Sequence, residues 1–346
     1  MDHSTSDLDP PVRHDERGRH RSVGVEIELT GLDVAAIADT VADLFDGRVR
    51  RENDYLARVT TELGEFKVEV DLRLLQKIGR QRAEPDGDAG VVAAMRDAVA
   101  NVAELIAPFE LVSPPLPYPQ LFHMDALAAA LGERGGRGTD AGLLMALGLH
   151  LNPQVPASTA ESIHAHLRAY VILEPLLRAA ADVDVARRLT PFVDPFPGSY
   201  VQRLLEEEDP PPMNAIIAEY LRFNPTRNRS LDMLPFFTGV APEMVAAAVE
   251  DRRIKSRPTF HYRLPDSRIG ERGWRITDEW RRWLVVEQVA AAPELLDSLA
   301  TTYRGLLRGT STASAQSAWV PVCRRLLGQI SAYGPSRADP AAPSRS

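Results

Sequence analysis

Cysteine occurs once in this chain, as Cys323. A single thiol excludes an intramolecular disulfide and any zinc site built on several cysteines. Long hydrophobic runs are missing too: no stretch approaches the roughly 18 apolar residues that a membrane span needs. The amino-terminal MDHSTSDLDPPVRHDERGRHR has no apolar core, so it does not read as a secretory signal. Positive charge is not in excess. Forty Lys and Arg stand against 48 Asp and Glu, for a formal net charge of −8. A protein that holds nucleic acid by counterion release over a wide surface is basic instead. These absences lead us to expect a cytoplasmic protein with neither a membrane nor a nucleic acid as partner.

What remains is ordinary globular composition, 44% hydrophobic and 25% charged over 346 residues. That length allows one large domain or about two of average size, and a core that hides roughly 75% of the unfolded surface. Residues 1–21 and the stretch after Tyr333 offer little to bury and are expected to be disordered tails. Between them, Ser22–Leu29 alternates Val23, Val25, Ile27 and Leu29 with Gly24, Glu26 and Glu28, the period of a strand. Asp33 is an N-cap candidate for a helix to Phe45. Arg58–Thr61 and Phe66–Val70 form a second strand region turning at Gly64. Residues 80–90 read as a loop and Val91–Ala107 as an amphipathic helix. A short strand stopped by prolines is expected in FELVSPPLPYP (109–119), and further strands at 143–152 and 260–264. Helices follow from about Ser158 to Leu189, with Ser158 and Glu161 as a capping box, and again near 277–290 and 293–308. Strands cluster before residue 152 and helices after it, with one late strand, which predicts an α+β fold.

Polar residues that share faces with one another are the candidates for chemistry. Glu26 and Glu28 project from the same side of one strand, where two carboxylates repel unless a cation lies between them. Taken alone, an E-x-E pair is as well read as the solvent face of an edge strand. Glu110 stands in FELVSPPL, where Pro-Pro fixes the exit of a short strand. His150 and Asn152 share one face of GLHLNP, and polar groups on an apolar strand must be hydrogen-bonded or ligated. RFNPTRNR carries Arg222, Arg227 and Arg229 with Asn224 and Asn228, an anion site or a solvated loop. In RPTFHYRLPDS, alternation places Thr259, His261 and Arg263 together. His164 and His166 are expected at the surface of a helix.

Taken in order, VGVEIEL, VEVDLRLL, FELVSPPL, GLHLNP, RNRSLDML and TFHYRLPDS resemble the putative amidoligase family. This is a branch of the carboxylate–amine ligases related to glutamine synthetase and glutamate–cysteine ligase. The resemblance runs from about residue 22 to about 290, with G-x-E-x-E and E-x-V-S-P-P as its most specific parts. It implies a single catalytic domain over 22–333, with a glutamine-synthetase-like antiparallel sheet carrying the site and helices packed around it. It also implies ATP with Mg²⁺, a substrate carboxylate activated as an acyl phosphate, and an amine that displaces phosphate to leave an amide. The partners would be small-molecule or peptide carboxylates and amines, with a homo-oligomer common among the related ligases.

By motif position, the resemblance assigns Glu26, Glu28, Asp71, Glu110, His150 and His261 to metal. It gives Arg227, Arg229 and Arg263 catalytic roles toward phosphate or the substrate carboxylate. Asn152, Asn228 and Arg222 fall to nucleotide binding. Two departures stand out. His261 occupies the place of the glutamate in the family's E-x-R strand, and Arg73 that of the serine in D-x-S-L. Imidazole suits Mn²⁺ or Zn²⁺ better than Mg²⁺, so Mn²⁺ is an alternative metal. Other readings of the same residues are a phosphotransferase acting on a guanidino group or amine, and a non-catalytic module that kept the fold.

Overall fold

The alternation in SVGVEIEL becomes the central strand of a mixed-length antiparallel sheet. A computed structural model describes residues 5–70, 108–139, 147–180, 193–250 and 254–328. Asp71, Arg73, the expected loop 80–90 and the expected helix 91–107 lie outside the described residues. The sheet has seven strands: β1 (Ser22–Leu29), β2 (Arg48–Asn53), β3 (Leu56–Thr61), β4 (Gly64–Val70), β5 (Phe109–Val112), β6 (Leu116–Pro117) and β7 (Leu149–Pro153). The order runs β2-β3-β4-β5-β1. β5 and β6 meet β1 along one edge, joined at the Pro-Pro turn, and β7 pairs with the other edge. The β3–β4 turn uses Gly64 at φ 124°, where a Cβ would also meet the Pro114 ring at 2.7 Å.

Ten helices are present among the described residues: α1 (Val34–Phe45), α2 (Phe122–Glu133), α3 (Ala160–Ala180), α4 (Gly198–Glu206), α5 (Met213–Phe223), α6 (Leu234–Val240), α7 (Pro242–Ala248), α8 (Ile276–Ala290), α9 (Pro293–Gly309) and α10 (Thr312–Leu327). Asp33 caps α1 as expected, its Oδ1 accepting from Ala36 N at 2.7 Å. The cap of α3 is Thr159 rather than Ser158, its Oγ1 accepting from Ser162 N. α1 lies on β2–β4, α2 beside α1, and α8 beside α2 and α3. Together they cover the face bearing Val25, Ile27, Val59, Phe66, Val68, Leu111, Leu149 and Leu151, all fully buried. The fold is α+β. No helix among the described residues is long and apolar enough to cross a membrane.

Two stretches differ from their sequence-based expectations. Residues 5–21 are not a loose tail in the structure. Thr5–Leu8 form a 3₁₀ turn, Leu8 is buried and its carbonyl accepts from Trp280 Nε1 at 2.9 Å. Arg21 is 2% exposed and pairs with Glu287 of α8 at 2.7 and 2.8 Å. Composition misses this because two anchors suffice to hold a polar segment. Residues 260–264 run alongside β7 but only as isolated bridges, Leu151 to Tyr262 and Gln154 to Thr259. Pro258 and Pro265 bracket the segment and lack the N–H groups that would extend the ladder.

Candidate metal centre

The register of the sheet decides which side chains meet on the face turned away from α1, α2 and α8. Glu26 lies opposite His150 of β7, and Gly24 opposite Asn152. Glu28 lies opposite Glu110 of β5, and Glu110 opposite Glu69 of β4. Three carboxylates thus stand in directly opposed register across three strands, and Lys67 Nζ meets the outermost of them, Glu69, at 2.5 Å. Beyond β7 the bridge from Leu151 to Tyr262 brings in His261, with Phe260 and Tyr262 turned to the helices against Trp283. One step further, Asp232 N donates to the His261 carbonyl at 2.9 Å. Four extended segments, widely separated in sequence, therefore present Glu26, His150, His261 and Asp232 side by side.

Glu26 is the hub. Its Oε2 lies 3.3 Å from His150 Nδ1 and 3.8 Å from His261 Nε2. Its Oε1 accepts from Asn152 Nδ2 at 3.0 Å and from Arg257 Nη1 at 2.7 Å. Burial alone would raise its pKa, but the His150 hydrogen bond and the neighbouring positive charge hold the carboxyl well below its usual range. His261 is 5% exposed. Burial outweighs the attraction of Asp232 and Glu26 and lowers its pKa to about 4, so the ring is neutral at pH 7. Asp232 is fully buried, which would raise its pKa. The His261 hydrogen bond and the charges of Arg227 and Arg263 reverse that effect and keep it ionised.

Among the described residues, two overlapping groups are spaced to hold a cation: Glu26, His150 and His261, and Glu28, Glu110 and His150, with candidate ligand atoms within 4.8 Å of one another in each. The surroundings fit a positive ligand. His261 Nε2 and Asn152 Oδ1 are buried here without hydrogen-bond partners, a state that costs free energy unless something binds them. Glu28 is tied into the same patch by Gly148 N, which donates to its Oε2 at 2.6 Å.

The arginine-rich loop divides. Arg227 Nε reaches Asp232 Oδ2 at 3.2 Å, and Arg263 Nη1 donates to the Arg227 carbonyl, so both border the cluster. Arg229 is held by Asn224 Oδ1 and the carbonyls of Pro195 and Phe223, at 2.8 to 3.3 Å. It ties the loop to its neighbours and does not join the cluster. Arg222 is mostly exposed, beside Glu219 and over the Phe223 ring. The backbone of Asn228 bonds to Asp194 and Thr226. A cavity of about 880 Å³ lies elsewhere, between α2, residues 268–275 and the start of α8, and touches none of these residues.

Further departures concern four residues. Arg257 was not singled out by its chemistry, although it stands in phase with Thr259, His261 and Arg263, and that phase was the available signal. Asp232 falls in the irregular RNRSLDML stretch, where no period points to it. His164 and His166 are buried, not surface residues. α3 is enclosed on nearly all sides, and burial lowers both imidazole pKa values, His164 to about 4.

Fold and site together define an α+β protein whose antiparallel sheet offers carboxylates and imidazoles spaced for a divalent cation. The family model described as "Putative amidoligase enzyme" matches residues 19–285, well over half of the chain, and the chain belongs to that family. No curated protein and no solved structure matches it. Membership supports a ligase-type enzyme.

Proposed function

We propose that this protein is an ATP-dependent carboxylate–amine ligase, assisted by a divalent metal, that joins a small-molecule or peptide carboxylate to an amine. The observation that carries this reading is the convergence of Glu26, Glu28, Glu110 and His150 on one sheet face, within the segments that the family match spans. The reaction would activate the acid as an acyl phosphate, which the amine opens with loss of phosphate. A bound Mg²⁺ or Mn²⁺ would offset the repulsion between triphosphate and carboxylate.

The chain's own residues would do the rest. Glu26 and Glu28, held in fixed register on the central strand, would present oxygen ligands with little reorganisation. Asn152 would keep Glu26 oriented through its Nδ2. Arg263 and Arg227, at the border of the cluster, would face the negative charge that shifts during transfer. Arg257 would contribute a guanidinium to the same anion. Asp71, at its motif position, is a further candidate ligand.

Product analysis tests the proposal. The full chain with ATP and Mg²⁺ or Mn²⁺, offered a panel of acids and amines, should release ADP and phosphate in step with an amide. The Glu26→Gln/Glu28→Gln variant should lose turnover by at least about 100-fold. ADP with a phosphorylated acceptor and no amide would establish a phosphotransferase instead. Absence of nucleotide binding with either metal would remove both readings and leave a binding module.

A further inference from the structure

Asp232 closes the far side of the cluster and has none of the roles given above. It is 0% exposed and accepts three hydrogen bonds: from His261 Nδ1 at 3.4 Å, Arg227 Nε at 3.2 Å and Leu234 N at 3.0 Å. Both oxygens of Asp232 already accept, Oδ1 from Leu234 N and Oδ2 from Arg227 Nε, so the group acts as an acceptor and the proton between it and His261 sits on Nδ1. A neutral imidazole then has its one lone pair on Nε2. That nitrogen is buried without a hydrogen-bond partner and lies 3.8 Å from Glu26 Oε2, another electron-pair donor. Two donors facing each other in a buried position are matched by a cation.

We infer that Asp232 is a positioning residue that fixes His261 with Nε2 toward Glu26, making Glu26, His150 and His261 a site for a transition-metal ion of the Mn²⁺, Co²⁺ or Zn²⁺ class rather than for Mg²⁺. Two imidazoles and one carboxylate suit those ions, whereas Mg²⁺ seeks oxygen alone. The second ring sharpens the distinction. His150 Nδ1 lies 3.3 Å from Glu26, and its Nε2 lies 3.7 Å from Glu28. An imidazole in its neutral form has one lone pair, so in that form His150 can ligate on one side only. When Nδ1 serves the Glu26 ion, Nε2–H points to Glu28 as a donor, and Glu28 and Glu110 remain an oxygen-only pair. The sheet face thus carries two neighbouring subsites of different ligand character. This inference rests on the metal-assisted reading of the site but not on amide formation.

The test uses the full chain stripped of metal and titrated with Co²⁺, whose visible ligand-field band reports nitrogen ligation. The wild type should bind Co²⁺ with a visible band that millimolar Mg²⁺ does not displace. His261→Ala should lose the band, and Asp232→Asn should weaken Co²⁺ affinity by about 10–100-fold. In ¹⁵N-histidine-labelled, metal-free wild type, the His261 shifts should show protonated Nδ1 and bare Nε2. That spectrum decides even if Asp232→Asn does not fold. A protonated Nε2, or Co²⁺ affinity unchanged in His261→Ala, would overturn the inference. Wild type that ignores Co²⁺ yet makes an amide with Mg²⁺ and ATP would also overturn it while leaving the ligase reading intact. Co²⁺ held through His261 in a chain that forms no amide would sustain it and remove the ligase reading.

Discussion

Arg257 Nη1 donates to Glu26 Oε1 at 2.7 Å, so the carboxylate at the hub of the cluster shares its charge with a guanidinium whose side chain is 42% exposed. The arginine holds Oε1, while Oε2 is the oxygen that faces His150 Nδ1 and His261 Nε2. The Arg257 side chain stands at the solvent edge of the cluster.

Arg257 and a metal would thus bind one carboxylate through different oxygens, and their like charges compete for it. Ion pairs with one exposed partner are worth up to about 1 kcal/mol, or roughly fivefold in affinity. Arg257→Ala is expected to tighten Mn²⁺ binding by up to about fivefold in calorimetry without nucleotide. Weaker binding in that variant would mean that Arg257 organises Glu26 rather than competing for it.

Arg229 and Arg227 are two residues apart and should behave differently. Arg229 holds two backbone carbonyls and Asn224, and hydrogen bonds from a charged group contribute about 1.5–3 kcal/mol each at most. Arg229→Ala should lower the urea midpoint while leaving metal and ATP affinity near wild type. Arg227→Ala should instead weaken ligand binding. Loss of ATP binding in Arg229→Ala at unchanged stability would restore the role that its motif position implied.

His164 carries a pH signature. Burial lowers its folded pKa to about 4 from an ordinary value of 6.5. Between those values the unfolded chain binds the extra proton, so the folded state loses stability as pH falls from about 6.5 to about 4. Comparing urea midpoints at pH 7.5 and pH 5 should show a smaller acid-dependent drop for His164→Leu than for wild type. Equal drops would place the acid sensitivity in other groups.

How much of this was legible in the sequence follows from where period and neighbours agree. β1, β4 and β5 read correctly because each has one covered face, so apolar and polar positions alternate cleanly. The same rule placed His261 with Thr259 and Arg263 even where prolines prevented a regular strand. Registers between strands are set by tertiary pairing, so the opposition of Glu28 to Glu110 and of Glu26 to His150 could not be read from either segment alone. The arginine loop has no period, and so spacing could not separate Arg227 from Arg229. α3 misled because a nearly all-buried helix has no polar stripe to mark which histidine faces out. Residues 5–21 misled because their hold on the body depends on Glu287 and Trp280, more than 250 positions away.

β1 is flanked on both edges, by β5 and β6 on one side and β7 on the other. Its amides should therefore be among the slowest to exchange with deuterium, opening only when the whole domain opens. The cluster hangs from the most protected strand rather than from a lid. Local breathing of the helices or of the 223–231 loop would then leave the spacing of Glu26 and Glu28 undisturbed. Molecules would arrive at a site already formed, and adjustment during a cycle would fall to exposed side chains such as Arg257.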